Sequence, residues 1–296
     1  MTERIIDIAD NAVRLRVRHG SLSLTPDGGD EQIIPFREIG AVVLAHPRCT
    51  VSKSVLSALA EHGVAVITCN DRNMPVGMML PLTGHHTSAE RFIAQAEVSK
   101  PTRKRLWKQI IRAKVRAQGS VLRSVRGDDF GLFQRAEEVR SGDTANVEGQ
   151  ASRTYWPALF NDIEFLRRRE KDDQNRYLNY GYAVLRAVTA RAICGSGLHP
   201  CLGIHHHNRY NPFCLADDLM EPFRPSVDKI VVDIVASFGS DCEIDKDLKR
   251  ELFGIFAERF MVMGESRSLF ETLTRLTSSL ADVFLGKRKD LILPKF

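Results

Sequence analysis

The sequence contains no run approaching the ~18 to 20 consecutive apolar residues of a membrane span, no internal repeat and no low-complexity tract. Its six cysteines, Cys49, Cys69, Cys194, Cys201, Cys214 and Cys242, form no CxxC pair. A helical membrane protein, a zinc knuckle and a dithiol redox motif are thereby disfavoured, and the thiols are expected to be reduced and mostly buried. The opening MTERIIDIAD places acidic residues where a signal peptide needs an apolar core, so the expected compartment is the cytoplasm. HExxH, RNP and zinc-finger patterns are missing too. A zinc hydrolase and base reading through those modules therefore lack their signatures.

What is present is an ordinary globular composition: 296 residues, 43% hydrophobic and 27% charged, enough for a sizeable core and long enough for two domains. The net charge of +5 is unevenly placed. Residues 96 to 140 hold twelve Lys/Arg against five Asp/Glu, a local +7, which leaves the remainder slightly acidic. Such a field favours a polyanionic partner without specifying a fold.

The first eighty residues read as short strands: RIIDI at 4 to 8, the alternation of Val13, Leu15 and Val17, SLSL at 21 to 24, IGAVVLA at 39 to 45, VAVIT at 64 to 68 and VGMMLPL at 76 to 82. PDGGDE at 26 to 31 makes a turn, and Ser52 to His62 a helix stopped by Gly63. After the TGHHTS loop at 83 to 88 the character turns helical, with Thr87 and Glu90 at capping-box spacing. Pro101 suits a first helical turn, and Leu106, Trp107, Ile110, Ile111 and Val115 form one apolar stripe, the Lys and Arg residues occupying the other faces. Further helices are expected over 145 to 156, 175 to 194, 226 to 238, 247 to 261 and 267 to 285. The fold class is α+β: a small β-rich N-terminal domain at 1–86, then a larger all-α domain at 87–296.

From Thr102 to Gly127 nine cations occur with no acid: Arg103, Lys104, Arg105, Lys108, Arg112, Lys114, Arg116, Arg123 and Arg126. One-sign clustering forgoes the i,i+4 support that glutamates would give, so contact with nucleic-acid phosphates is the favoured reading. The alternative is the solvent-facing side of a core helix. The KRK at 287 to 289 reads as a solvated terminal run.

Four of the nine histidines lie within 199 to 207: His199, His205, His206 and His207. Asp217, Asp218 and Glu221 follow. On a short helix over 215 to 221, Asp218 and Glu221 share a face and can hold one divalent cation. Glu148 sits at an expected helix start with Ala151, Ser152 and Tyr155 on its face. One imidazole with two carboxylates suits Mn²⁺ or Mg²⁺ and phosphoryl chemistry. A histidine tract can equally be a surface loop, and the acidic triplet a helix cap.

In order, Glu148-Gly149 with Ala151 and Tyr155-Trp156, LNYGYAVL at 178 to 185, GLHPCLGIHHHNRYNPF at 197 to 213 and LADDLMEPFRP at 215 to 225 resemble the CRISPR-associated integrase of spacer acquisition, the first universal CRISPR adaptation protein. HHHNRYNPF and DLMEPFRP are similar to the type II form. The resemblance implies a metal-dependent DNA integrase and endonuclease of antiviral defence, in which the 3′-hydroxyl of a short fragment attacks a phosphodiester at the edge of a CRISPR repeat. It implies Mg²⁺ or Mn²⁺ held by Glu148, His206 and Glu221, with Asp218 a further ligand or a support. His206 is chosen because the family's G-x-x-H pattern puts the histidine three residues after a glycine, here Gly203, with His205 and His207 as neighbouring choices. Arg103, Lys104, Arg105, Lys108, Arg112 and Arg224 are candidate DNA contacts, Arg224 equally a structural ion pair, and Tyr155 and Asn208 can orient a water or hydroxyl. Implied partners are double-stranded DNA, a second copy in a homodimer, and a small ferredoxin-like adaptation protein, with no membrane. A nucleic-acid scaffold with a vestigial metal site is the alternative, and a zinc hydrolase ranks last.

Overall fold

The computed structural model describes residues 4–71, 74–81 and 85–296. Among these described residues, eight strands and a helix build the N-terminal part: β1 (Arg4–Ile8), β2 (Val13–Arg18), β3 (Ser21–Pro26), β4 (Gln32–Pro35), β5 (Ile39–Leu44), β6 (Thr50–Val51), α1 (Lys53–Glu61), β7 (Ala65–Cys69) and β8 (Pro75–Met79). They form two sheets, ordered β4-β3-β2-β6 and β1-β5-β7-β8. The β2–β3 hairpin closes through His19 and Gly20, both left-handed at φ 48° and 67°, the two-residue turn whose twist matches its strands. β4 and β6 were not foreseen; four and two residues are too short to display a period. Leu82, at the end of the strand expected over 76 to 82, and Thr83 and Gly84 of the following loop lie outside the described residues.

The second sheet separates two cores. β1, β5 and β7 run parallel, and alternate side chains of β5 and β7 point to opposite faces. Val42 and Val66 join Leu15, Leu22, Val55 and Leu59 on one side. Ala41, Val43, Ala65 and Ile67 join the helical core on the other. That second face meets the helix Asn175–Gly195, whose Arg191 Nε donates to the Gly63 carbonyl.

The helical part comprises α2 (Ser88–Glu97), α3 (Lys100–Arg126), α4 (Leu132–Glu137), α5 (Val147–Phe160), α6 (Asn175–Gly195), α7 (Cys214–Leu219), α8 (Arg224–Phe238), α9 (Lys246–Leu252) and α10 (Leu269–Phe284). α3 begins at Ser99, whose hydroxyl accepts from Thr102 N, carries Pro101 in its first turn and ends at left-handed Gly127. Leu106, Trp107, Ile110, Ile111 and Val115 are buried as expected, each worth about 1.5–3 kcal/mol of apolar transfer for the larger side chains. The Thr87–Glu90 capping box does not form: the Thr87 hydroxyl bonds His85 Nδ1 instead. A true capping box starts α10, between Ser268 and Glu271.

The helix expected over 247 to 261 is corrected. α9 stops at Leu252, a 3₁₀ turn covers Phe253–Phe256, and β9 (Arg259–Val262) pairs with β10 (Glu265–Ser268). Phe260 and Val262 are buried while Arg259 and Met261 are exposed, a period of two inside an otherwise helical region. The thiols are free as expected, but only Cys214 is buried and the other five are half-buried. No helix among the described residues is long and apolar enough to cross a membrane.

α10 packs so closely on β5 that a methyl group on Gly40 would sit 2.4 Å from Phe270 Cζ. Gly40→Ala is therefore expected to cost about 1–3 kcal/mol of overpacking, read as a lowered urea midpoint with an unchanged m-value.

Candidate active site

α3 carries a charge inside its apolar stripe. Lys114 follows Ile110 and Ile111 by four and three residues, so it faces the helical core and not the solvent-facing side with the other cations. Its Nζ lies 2.6 Å from Glu148 Oε1 and 2.6 Å from Glu221 Oε2, with the lysine side chain 12% exposed. Glu148 comes from the first turn of α5, held there by Asn146 and Asp143, whose side chains accept the Gly149, Val147 and Glu148 amides. Glu221 opens the 3₁₀ turn Glu221–Phe223 after α7, where its Oε1 is 3.1 Å from Arg224 Nε. Burial disfavours the Glu221 carboxylate, but the Arg224 and Lys114 charges outweigh it and hold its pKa below the ordinary value. Burial likewise opposes the Lys114 ammonium, and the Glu221 and Glu148 charges override it, raising its pKa.

The histidine loop is organised by Asp218. This fully buried carboxylate accepts the backbone amides of Ile204 at 2.6 Å, His205 at 2.9 Å and His206 at 3.2 Å. It also lies 2.6 Å from His206 Nδ1. That hydrogen bond raises the His206 pKa against the opposing effect of burial and assigns Nδ1 as the donor, leaving Nε2 for another partner. Asp218 thus acts as a support, and Glu221 has its own partners. The short helix expected over 215 to 221 ends at Leu219, so Glu221 lies beyond it in the 3₁₀ turn. His205 stacks on Trp107 with ring centroids 4.1 Å apart, and His207 approaches Arg103, 3.2 Å from its guanidinium. Three successive histidines therefore have three different tasks. From α2, buried Gln95 donates to the His199 and Leu202 carbonyls and accepts the His199 amide, a second clamp on the same loop.

The structure brings Glu148 and Glu221 together around one ammonium, while His206 stands in the adjoining loop within electrostatic reach of Glu221. Among the described residues, no three His, Cys, Asp or Glu side chains converge closely enough to hold a metal ion as they stand. The donor chemistry nevertheless fits a hard divalent cation. Two carboxylates already share one positive charge, and Glu221 Oε2, though beside Lys114, is buried with no aligned hydrogen-bond donor.

Several cations of α3 are satisfied within the protein. Arg112 and Arg116 both pair with Glu137, Arg123 with Asp129, and Arg126 donates to the Ala158 and Leu159 carbonyls. Lys104, Arg105 and Lys108 have no ion-pair partner among the described residues, and the first two are exposed. Arg224 combines its pairing to Glu221 with a stack over the Tyr182 ring at 4.7 Å. Beside His206 runs a groove of about 600 Å³, lined by Arg169, Arg186, Arg224 and Tyr210 among others. Tyr155 does not reach it: its hydroxyl donates to Asp228 Oδ2 at 2.9 Å in the core. Asn208 lines the groove, but its Oδ1 accepts the Tyr210 amide in a local turn.

The family model for CRISPR associated protein Cas1 matches residues 6–241. The chain belongs to that family. A relative named CRISPR-associated endonuclease Cas1, from Neisseria meningitidis serogroup C, is 33% identical over 292 residues, covering 97% of this chain and 95% of the relative. A Cas1 endonuclease of Pyrobaculum aerophilum is 26% identical over 77% of this chain and 82% of its own length. In fold, this Cas1-family chain is similar to a Cas1 protein of Thermotoga maritima (TM-score 0.74, 16% identity, covering 99% and 100% of the two chains). It is also similar to a casposase bound to its integration product (TM-score 0.79, 19% identity, covering 98% and 92%). The expected build, β-rich then helical, is the one observed.

Behind Tyr155, Asp228 is fully enclosed, and burial raises its pKa to about 6 in spite of the Tyr182 and Tyr155 hydrogen bonds and the Arg167 and Arg224 charges. Because the folded-state pKa exceeds the unfolded one, the native state binds the proton more tightly. Stability is then greatest below the ordinary value of 3.8 and falls as pH rises towards about 6. Asp228→Asn should remove this group's share of the decline, on the order of 3 kcal/mol at most, seen as a shallower fall of unfolding free energy between pH 4 and 6 (~2 pH units) in urea titrations.

Proposed function

We propose that the chain is a divalent-metal-dependent DNA endonuclease and integrase of CRISPR spacer acquisition. In this reading the 3′-hydroxyl of a short DNA duplex attacks a phosphodiester at the edge of a repeat. The observation carrying it is the convergence of Glu148 and Glu221, from separate elements, on one cation beside an imidazole whose tautomer Asp218 fixes. Glu148, His206 Nε2 and Glu221 would hold Mg²⁺ or Mn²⁺. Such an ion supplies charge neutralisation at the phosphate and a lowered pKa for the attacking hydroxyl.

The chain's own residues position the substrate. The groove beside His206 offers the Arg169 guanidinium, and Lys104, Arg105 and Lys108 present charges that the protein leaves unpaired among its described residues. These suit phosphates, whereas Arg112 and Arg224 are already engaged with Glu137 and Glu221. Asp218 keeps His206 oriented and its Nε2 directed away from the supporting carboxylate. Little covalent participation is required, because alignment and charge stabilisation account for most of the rate gain in phosphoryl transfer. Double-stranded DNA, a second copy of this chain and a small ferredoxin-like adaptation protein complete the proposed assembly. A structural neighbour solved as a Cas6-RT-Cas1–Cas2 complex supports the partner, and the casposase with its integration product supports the DNA. The cytoplasm is the proposed compartment.

Strand transfer of a labelled duplex into a repeat-containing plasmid, with the small partner present, tests the reading. Joining should require Mg²⁺ or Mn²⁺, vanish with EDTA, and fall by at least ~100-fold in His206→Ala while DNA binding persists. Joining that survives both treatments would sink it; an assembled, DNA-bound complex that joins nothing would favour the scaffold. For the duplex contacts, changing Lys104, Arg105 and Lys108 together to Gln should flatten the salt dependence of binding by up to about 3 in log–log slope.

A further inference from the structure

The buried ammonium at the centre of the site raises a question of occupancy. Lys114 Nζ occupies the point on which Glu148 and Glu221 converge. A divalent ion held by both carboxylates would stand within a few ångströms of that ammonium, with little water to screen the repulsion. The two cations therefore cannot share the point, and metal entry requires the lysine to leave it.

An exit lies one helical turn along. A cavity of about 150 Å³ is lined by Lys114, Gln118, Ser152, Tyr182, Arg224 and Asp228, with Arg167 also on its wall. Gln118 follows Lys114 by four residues on α3, hence on the same face. It is 2% exposed, and its Oε1 is buried with no donor. An unpartnered amide oxygen in that position is costly unless something fills its role part of the time. The volume is several times the ~30 Å³ share of a water molecule, ample for the end of a lysine side chain. Arg167 and Arg224 add positive charge to the wall, but Arg224 remains paired with Glu221, and the Asp228 carboxylate gives the cavity an anion.

We propose that Lys114 is a displaceable internal counter-cation. It holds Glu148 and Glu221 in place while no metal is bound, and swings into the Gln118 cavity when a divalent ion replaces it. The inference rests on the metal-dependent reading above. It makes Lys114 a positioning residue: it keeps two buried carboxylates from repelling one another and sets the threshold a metal must exceed to load.

Manganese binding without DNA, read from the loss of the free Mn²⁺ electron-paramagnetic signal, separates the possibilities. Full-length wild type, Lys114→Met, Gln118→Leu and Glu221→Gln would be compared, with thermal unfolding in EDTA and in Mn²⁺. Lys114→Met should bind Mn²⁺ roughly tenfold or more tightly; its melting temperature should drop in EDTA and recover with Mn²⁺. Gln118→Leu removes the cavity's unpartnered acceptor and makes that wall apolar without touching the site, so its melting temperature in EDTA should stay within about 2 °C of wild type while its Mn²⁺ affinity falls about threefold or more. Equal or weaker binding by folded Lys114→Met overturns the counter-cation, and an unchanged affinity in Gln118→Leu overturns the swing into the cavity. Loss of binding in Glu221→Gln shows that the metal reading stands in either case. An absence of Glu221-dependent binding in both wild type and Lys114→Met would instead sink that reading itself.

Discussion

The contact between Lys114 and two glutamates is the constraint around which the helical half is arranged. It joins the middle of α3, the start of α5 and the 3₁₀ turn behind α7, the first and last of them more than a hundred residues apart in the chain. Opposed carboxylates this close would push their elements apart if no cation stood between them, and a lone buried ammonium would be as costly. The network gives modest net stability for its size. What it contributes is a defined geometry: the three segments are held where one ammonium meets both carboxylates.

A second arrangement of the same kind controls the histidine loop. Asp218 directs its acceptor capacity to three successive amides and one imidazole, turning a flexible HHHN segment into a fixed one. Gln95 closes the preceding residues from α2, and Trp107 of α3 receives the flat face of His205. The loop is thereby referred to the same long helix that carries Lys114. Acid, imidazole and ammonium are set by one scaffold, which is why residues far apart in sequence reach one small region.

Much of this was legible in the sequence where a pattern had a period. Strand alternation at 13 to 17, the apolar run at 39 to 45, the stripe of α3 with Pro101 in its first turn, and the order of the four motifs each had a local cause. The resemblance carried by those motifs implied Glu148 and Glu221 in one site, with Asp218 as a further ligand or a support. The role of Lys114 was not, because among nine cations its charge looked like the rest; the signal was its register, three residues after Ile111 on the apolar face. The absence of acids within α3 also misled, since Glu137, Asp129, Glu148 and Glu221 arrive from elsewhere in the fold to meet its cations. The β9–β10 hairpin was hidden by the helices flanking it, and Gln95 by the lack of any local pattern for a side chain that clamps a loop a hundred residues away.

The β1-β5-β7-β8 sheet, apolar on both faces, makes the two halves of the chain structurally inseparable. One face completes a small β core and the other a much larger helical one, so a cut between the halves would bare a row of Ala41, Val43, Ala65 and Ile67 to water on one fragment and the matching helical surface on the other. Neither fragment would be a smaller version of the protein; each would be an adhesive half. For anyone grafting the N-terminal part onto another scaffold, or trimming the chain to its chemistry, the unit of exchange is the whole sheet together with the helices seated on it, and a change on one face of β5 carries across a single backbone to the other.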